Sequence, residues 1–185
     1  AAAIGNWEMV EFLVNNGAKP TTKDKYKRTA LLLACKNGNL KIASFLLQNG
    51  APYEEGDSSD NTPLHYACAY GYPEVIQLLF TAGANPNAVN SWNLTPTAVA
   101  LLKSYFSCLR TMLNNPITNV NCIDDEGRTL VSNAIKVISA ENFHHVSFLL
   151  VDKKADPNIA DAKGLTAFDY LCSHNYLTLA SKEIN

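Results

Sequence analysis

Side chains able to do nucleophilic, acid–base or metal chemistry are few in this chain, and their spacing does not gather them. Five cysteines stand at Cys35, Cys68, Cys108, Cys122 and Cys172. An odd number argues against a closed disulfide framework. No CxxC or Cys/His spacing points to zinc. Cys35, Cys68 and Cys172 each follow a threonine by six residues (Thr29, Thr62 and Thr166). That regularity belongs to a structural register and not to a reactive site. The four histidines are His65, His144, His145 and His174. None has a Ser, Cys or carboxylate companion in a triad-like setting. A glycine-rich phosphate loop and a paired-carboxylate signature are missing too. The sequence therefore predicts no enzyme, no metal and no cofactor.

The elements that carry these residues follow from length, composition and period. The 185 residues are 47% apolar and 17% charged, with a formal net charge of −2. This is the composition of a soluble folded protein. Balanced charge gives no general argument for nucleic acid as a partner. No stretch approaches the roughly 18 apolar residues of a membrane span, so no membrane insertion is expected. The opening residues lack the basic start and apolar run of a signal peptide. Together these points predict an intracellular, cytoplasmic protein.

One period organises the rest. Thr29, Thr62, Thr95, Thr129 and Thr166 recur at intervals of 33, 33, 34 and 37 residues. Gly5, Gly38 and Gly71 share the interval of 33, as do Gly17, Gly50 and Gly83. The copy from Asp57 reads most clearly. Thr62 suits a helix N-cap and Pro63 the first helical position. Leu64, Ala67 and Cys68 lie at i, i+3 and i+4, on one helical face. Gly71 stops that helix in a left-handed cap. Val75, Leu78 and Leu79 repeat the pattern, and Gly83 stops the second helix. Asn85, Pro86 and Asn87 are turn formers. Helices of under about ten residues do not persist alone in water. Stacking on the next copy covers their apolar faces.

With Thr62-Pro63-Leu64-His65, Gly71 and Gly83-Ala84-Asn85-Pro86-Asn87, the chain resembles the ankyrin-repeat family over nearly its whole length. The resemblance implies an all-α solenoid of stacked helix-turn-helix units with protruding β-turn fingers. It is expected as a single ankyrin-repeat domain over 1–185. The units would be a partial repeat at 1–23, full repeats at 24–56, 57–89, 90–123 and 124–160, and a capping or truncated repeat at 161–185. The half-repeat at the start predicts a fragment of a longer protein. Cys35, Cys68 and Cys172 then fall in a small buried slot of the first helix. His65 is expected to bond to nearby backbone. The third repeat has Ala98 in the His slot, Ser104 in the Gly slot and one extra residue expected before Met112. The fourth has Leu130 and Ser132 in the Pro and His slots and about four extra residues around Ile138 to His145.

The resemblance implies a protein-binding module without catalysis, contacting a partner through its concave face and fingertip turns. The alternative is a regulatory or targeting segment of a larger enzyme or ion channel. Partner contacts map to fingertip residues Tyr26, Arg28, Trp92, Leu94 and Arg128, and to first-helix ends at Lys36, Tyr70, Leu102, Lys103 and Lys136. Trp92 is the sharpest of these, because tryptophan at a fingertip has little core to join and is a common interface anchor. Tyr26, Tyr70, Trp92, Leu94 and Leu102 are expected to form an apolar centre. Lys19, Lys23, Lys25, Lys27 and Arg28 form the basic cluster, suited to an acidic patch on a partner. Asn87 and Asn158 sit in a setting similar to that of ankyrin asparagines hydroxylated by an oxygen-dependent enzyme. The partner's identity and the oligomeric state have no signal in the sequence.

Overall fold

The computed structural model describes residues 1–137 and 148–173. They form short helices joined by turns. In chain order these are α1 (Trp7–Asn15), α2 (Ala30–Lys36), α3 (Leu40–Gln48), α4 (Pro63–Tyr70), α5 (Pro73–Ala82), α6 (Pro96–Leu102), α7 (Phe106–Asn114), α8 (Leu130–Val137) and α9 (Ala167–Ser173). A 3₁₀ turn at Ala2–Ile4 precedes α1, and a π-helical turn runs over Phe148–Asp152. The chain divides into two compact units: residues 1–91 with 95–118, and residues 92–94 with 119–185.

In the first unit, α2/α3, α4/α5 and α6/α7 are antiparallel-type helix pairs stacked as repeats. First helices α2, α4 and α6 pack side by side, and second helices α1, α3, α5 and α7 form the other layer. The expected N-caps form. Thr29, Thr62 and Thr95 each accept a hydrogen bond from the backbone N–H three residues on, at Leu32, His65 and Ala98. Thr129 and Thr166 do the same for Ser132 and Asp169 in the second unit. Ala34, Ala67 and Ala100 sit five residues after their threonines and are fully buried. Their small size lets neighbouring first helices approach closely. Leu64, Ile76, Leu79, Leu101 and Met112 fill the space between layers.

His65 is buried, and its Nδ1 accepts the Thr62 backbone N–H at 3.2 Å. This closes a reciprocal cap in which both residues serve each other. Gly71 and Gly83 adopt φ of 83° and 97°, the left-handed stops anticipated from sequence. Gly71 has a second duty. A Cβ there would lie 2.8 Å from the Tyr105 ring, and at Gly38 2.4 Å from the Tyr72 ring. Each glycine is therefore the floor on which the tyrosine of the next repeat rests.

Two expectations need correction. The third repeat carries no extra residue before Met112. Cys108, Leu109 and Met112 occupy the buried positions that Val75, Ile76 and Leu79 hold one repeat earlier, each 33 residues on. The added residue falls after α7, where Pro116 takes the slot of Gly83. Proline has no N–H to cap the helix. The Thr118 hydroxyl instead donates to the Met112 carbonyl at 2.7 Å. The second correction is Cys172. Cys35 and Cys68 fill the buried slot, but Cys172 is exposed. Among the described residues, no helix follows α9 to cover it. All five thiols are free, and burial pushes the Cys68 thiol well up and that of Cys108 to about 11. The fourth-repeat insertion with His144 and His145, and His174, lie outside the described residues.

Candidate protein-binding surface

Each fingertip is built around the residue that opens the repeat. One carboxylate oxygen of Asp57 accepts the backbone N–H groups of Ser59 and Asn61. Asp24, Asp124 and Asp161 repeat this with the amides two and four residues on. The short polar side chain thus substitutes for a backbone turn partner. The fourth residue of each turn is left-handed: Lys27, Asp60, Asn93, Gly127 and Gly164 have φ between 54° and 77°.

The second carboxylate oxygen differs between repeats. Asp24 binds the Arg28 guanidinium through Nε and a terminal nitrogen, at 2.9 and 2.7 Å. Asp57 accepts the Tyr66 hydroxyl at 2.8 Å. Asp124 takes Arg128 Nε and the Asn133 amide, both at 3.0 Å. Asp161 takes the Tyr170 hydroxyl. The bonds to Tyr66, Asn133 and Tyr170 tie the finger to the first helix, while the Asp24–Arg28 pair closes within the finger. Burial works to raise the Asp57 and Asp124 carboxyls, but hydrogen bonds from Tyr66, from Asn133 and from backbone amides outweigh it and hold both below the usual value. The hydrogen bond to Asp161, aided by burial, pushes the Tyr170 hydroxyl up to about 12.

Fingertips also join to one another. In the first unit the Ser58 N–H donates to the Tyr26 carbonyl and the Ser91 N–H to the Ser59 carbonyl, both at 3.0 Å. In the second unit the Ala162 N–H donates to the Glu126 carbonyl.

On the first unit, Tyr26 and Tyr70 are 48% and 42% exposed, and Leu102 is 37% exposed. The cations lie over the tyrosine rings. Lys25 and Arg28 stand 4.9 and 4.8 Å from the Tyr26 ring centre, and Lys36 stands 5.5 Å from that of Tyr70. Tyr70 stacks on Tyr66 at 6.1 Å with the rings 12° apart. Lys103 is exposed at the C-terminal cap of α6.

On the second unit, Trp92 is 54% exposed and Leu94 is half-buried. Arg128 is paired with Asp124 and, at 2.7 Å, with the exposed Glu126. Lys136 lies over the Tyr170 ring at 5.5 Å. Of the residues expected to form an apolar centre, Tyr26, Tyr70 and Leu102 belong to the first unit and Trp92 and Leu94 to the second.

Asn87 and Asn158 both lie in the turns that close a repeat. The Asn87 side-chain amide donates to the Ile117 carbonyl at 2.7 Å, and that of Asn158 to Asp156 at 3.1 Å. Sequence reasoning missed the tyrosines that anchor Asp57 and Asp161. The signal was there: each tyrosine follows its aspartate by nine residues. Among the described residues no helix is long and apolar enough to cross a membrane, and no His, Cys, Asp and Glu group could hold a metal ion.

Stacked helix pairs with laddered β-turn fingers define the ankyrin class of repeat protein. Residues 1–90 match the family model for ankyrin repeats, described as three copies, and that stretch belongs to the family. A curated relative is the poly [ADP-ribose] polymerase tankyrase of Caenorhabditis elegans. It is 39% identical over 85 residues, a match covering 42% of this chain and 4% of that protein. Ankyrin repeats are in general protein-binding modules.

Proposed function

We propose that the chain is a non-catalytic binding module that holds a partner protein against its fingertips and the exposed ends of its first helices. The observation that carries this reading is where the large side chains lie. The residues common to the repeats are buried in the scaffold, while Tyr26, Tyr70 and Trp92 are individual to their repeats and are exposed. Aromatic side chains in such positions are frequent interface anchors. A scaffold whose fingers are already bonded to its helices loses little entropy on binding. The module would act inside the cell, in the cytoplasm. Pull-down with the full chain tests the reading, set beside Trp92→Ala and Tyr70→Ala. Each substitution should weaken capture of a specific partner by roughly tenfold or more, the scale of an interface anchor. Unchanged capture by both variants would sink it.

A second reading is favoured by the relative. Its printed name is that of a polymerase, and the matching stretch is a small share of it. The present repeats would then serve as the targeting segment of a larger enzyme. Asparagine hydroxylation is proposed at Asn87 and Asn158. The Asn87 amide ties its turn to the next repeat and the Asn158 amide bonds within its own turn, so a hydroxylase would have to break these bonds. Intact mass after co-expression with the hydroxylase should rise by one oxygen per modified site.

A further inference from the structure

The basic cluster of the first full repeat is more ordered than a solvated loop. Its cations are placed. Arg28 is fixed by the Asp24 carboxylate and lies over Tyr26, with Lys25 over the same ring. Lys36, at the end of α2, lies over Tyr70 of the next repeat. Tyr70 is held in turn by Tyr66, whose hydroxyl is fixed by Asp57. The Tyr26 backbone is pinned by the Ser58 N–H. Ser58 is the neighbour of Asp57, which holds Tyr66, so the two halves of the row meet at one fingertip. Two tyrosine rings, three cations and a fixed backbone form one platform within the first unit.

We propose that this platform, made by Lys25, Tyr26, Arg28, Tyr70 and Lys36, binds a short segment rich in Asp and Glu on the partner protein. The inference rests on the protein-binding reading and names the chemistry of what is bound. Charge decides the occupant. The whole chain is net negative, yet this patch is locally positive. Of the nearby acids, Asp24 is paired with Arg28 and Glu55 with Lys23, while Asp57 and Asp60 keep their charge but are turned to neutral donors, Tyr66 and Asn61 for one and Ser91 for the other. Lys25 and Lys36 rest on rings instead of carboxylates. A cation over an aromatic face keeps most of its charge for a further anion. Incoming carboxylates would therefore meet preorganised cations, and the methylene groups of Asp or Glu would lie on the tyrosine rings. Nucleic acid fits less well. A phosphate backbone needs an uninterrupted cationic track, and here Asp24 and Asp57 alternate with the cations.

The test is selection of a random dodecapeptide library, displayed on phage, against the full chain. Asp and Glu should be enriched at two or more positions. Binding of the selected peptides, read by fluorescence anisotropy, should weaken about tenfold in Lys25→Gln/Lys36→Gln. It should weaken likewise between 50 and 500 mM salt. Thermal melts of the variant should match the parent, since Lys25 is exposed, Lys36 is half-buried and glutamine keeps most of the side-chain bulk at both. Tyr26→Leu/Tyr70→Leu, which keeps apolar bulk and removes the rings, should weaken binding as well. Lys163→Gln, in the second unit, should leave it unchanged. Selected peptides without excess carboxylate overturn the proposal and leave the wider reading standing. Acidic peptides insensitive to the double lysine variant do the same. A twelve-residue oligothymidine that binds more tightly than the peptides would transfer the platform to nucleic acid and overturn it too. If no peptide is enriched, the proposal fails, and the wider reading is then judged by the pull-down with Trp92→Ala and Tyr70→Ala.

Discussion

Thr97 shows how a single residue departs from the repeat at a measurable cost. It takes the slot that Leu64 fills one repeat earlier, and it is buried as Leu64 is. Its hydroxyl has no hydrogen-bond partner. A buried unsatisfied hydroxyl costs about 1–3 kcal/mol. Thr97→Val keeps the shape and removes the polar atom. It should raise stability by about 1 kcal/mol, read as a higher urea midpoint with an unchanged slope. Ser104 departs in the same repeat. It stands in the glycine slot with φ 58°. A left-handed conformation costs an L-residue about 1–2 kcal/mol, and the greater chain entropy of glycine returns part of that. Ser104→Gly should therefore gain roughly 0.5–1 kcal/mol in the same titration. A loss instead would show that the Ser104 side chain has a stabilising contact. Ser104 stands out as a deviation in the sequence, whereas Thr97 is not singled out there. Neither consequence is legible there, because burial and φ are properties of the packed chain.

Helices and turns were the most legible level. The threonine caps, the glycine stops and the first-helix face follow from local chemistry and formed where the spacing placed them, whereas the buried face of α5 runs through Val75, Ile76 and Leu79, with the expected Leu78 only half-buried. Contacts between repeats were less legible. Nothing in the period says that Tyr72 and Tyr105 rest on Gly38 and Gly71, because the tyrosines are absent from the first copy of that slot, where Asn39 stands. The third repeat was misaligned for a related reason. Matching Met112-Leu113 to Leu78-Leu79 by residue type placed the extra residue before the helix, whereas burial aligns Met112 with Leu79. The tyrosine–glycine contact can be tested on its own. Gly71→Ala meets both the left-handed backbone and the Tyr105 ring, so it should lose about 2 kcal/mol or more. Tyr105→Ala in that background should be less damaging than in the parent, because the clash is gone. Additive effects in the double-mutant cycle would show that the two do not touch.

The whole molecule carries a pH signature because the same aspartate device recurs in both units. Asp57 in the first and Asp124 in the second are held below their ordinary value of 3.8. A lowered carboxyl contributes stability that is fully present above its unfolded value and lost as pH falls through the folded one. Stability should therefore decline below about pH 4. Tyr170 is shifted the opposite way, from 10.0 up to about 12. Its contribution is complete below pH 10 and is lost as pH rises toward 12. Urea midpoints measured across pH should be flat from about pH 4 up to the ordinary cysteine value of 9.0, above which the raised Cys68 and Cys108 thiols begin to lower stability. Asp57→Asn should reduce the acid arm, leaving the share of Asp124, and Tyr170→Phe should reduce the alkaline one, leaving the shares of Tyr66 and the buried thiols. The all-α stacked fold and the protein-binding class were readable from 185 letters. The composition of the surface was only half readable, since the cations could be counted but the rings beneath them could not.

The ties between repeats have a further consequence. Asn37 reaches the Ala3 carbonyl, the Asn85 N–H reaches Glu54, and Asn87 reaches Ile117, over 34, 31 and 30 residues. Each ends in the adjoining repeat. Within the first unit these bonds require no loop closure longer than about one repeat, and short closures are fast and lose little entropy. A growing chain leaving the ribosome would need only its next thirty-odd residues before each pair of helices could close on the last. The order of synthesis and the order of assembly can then be the same.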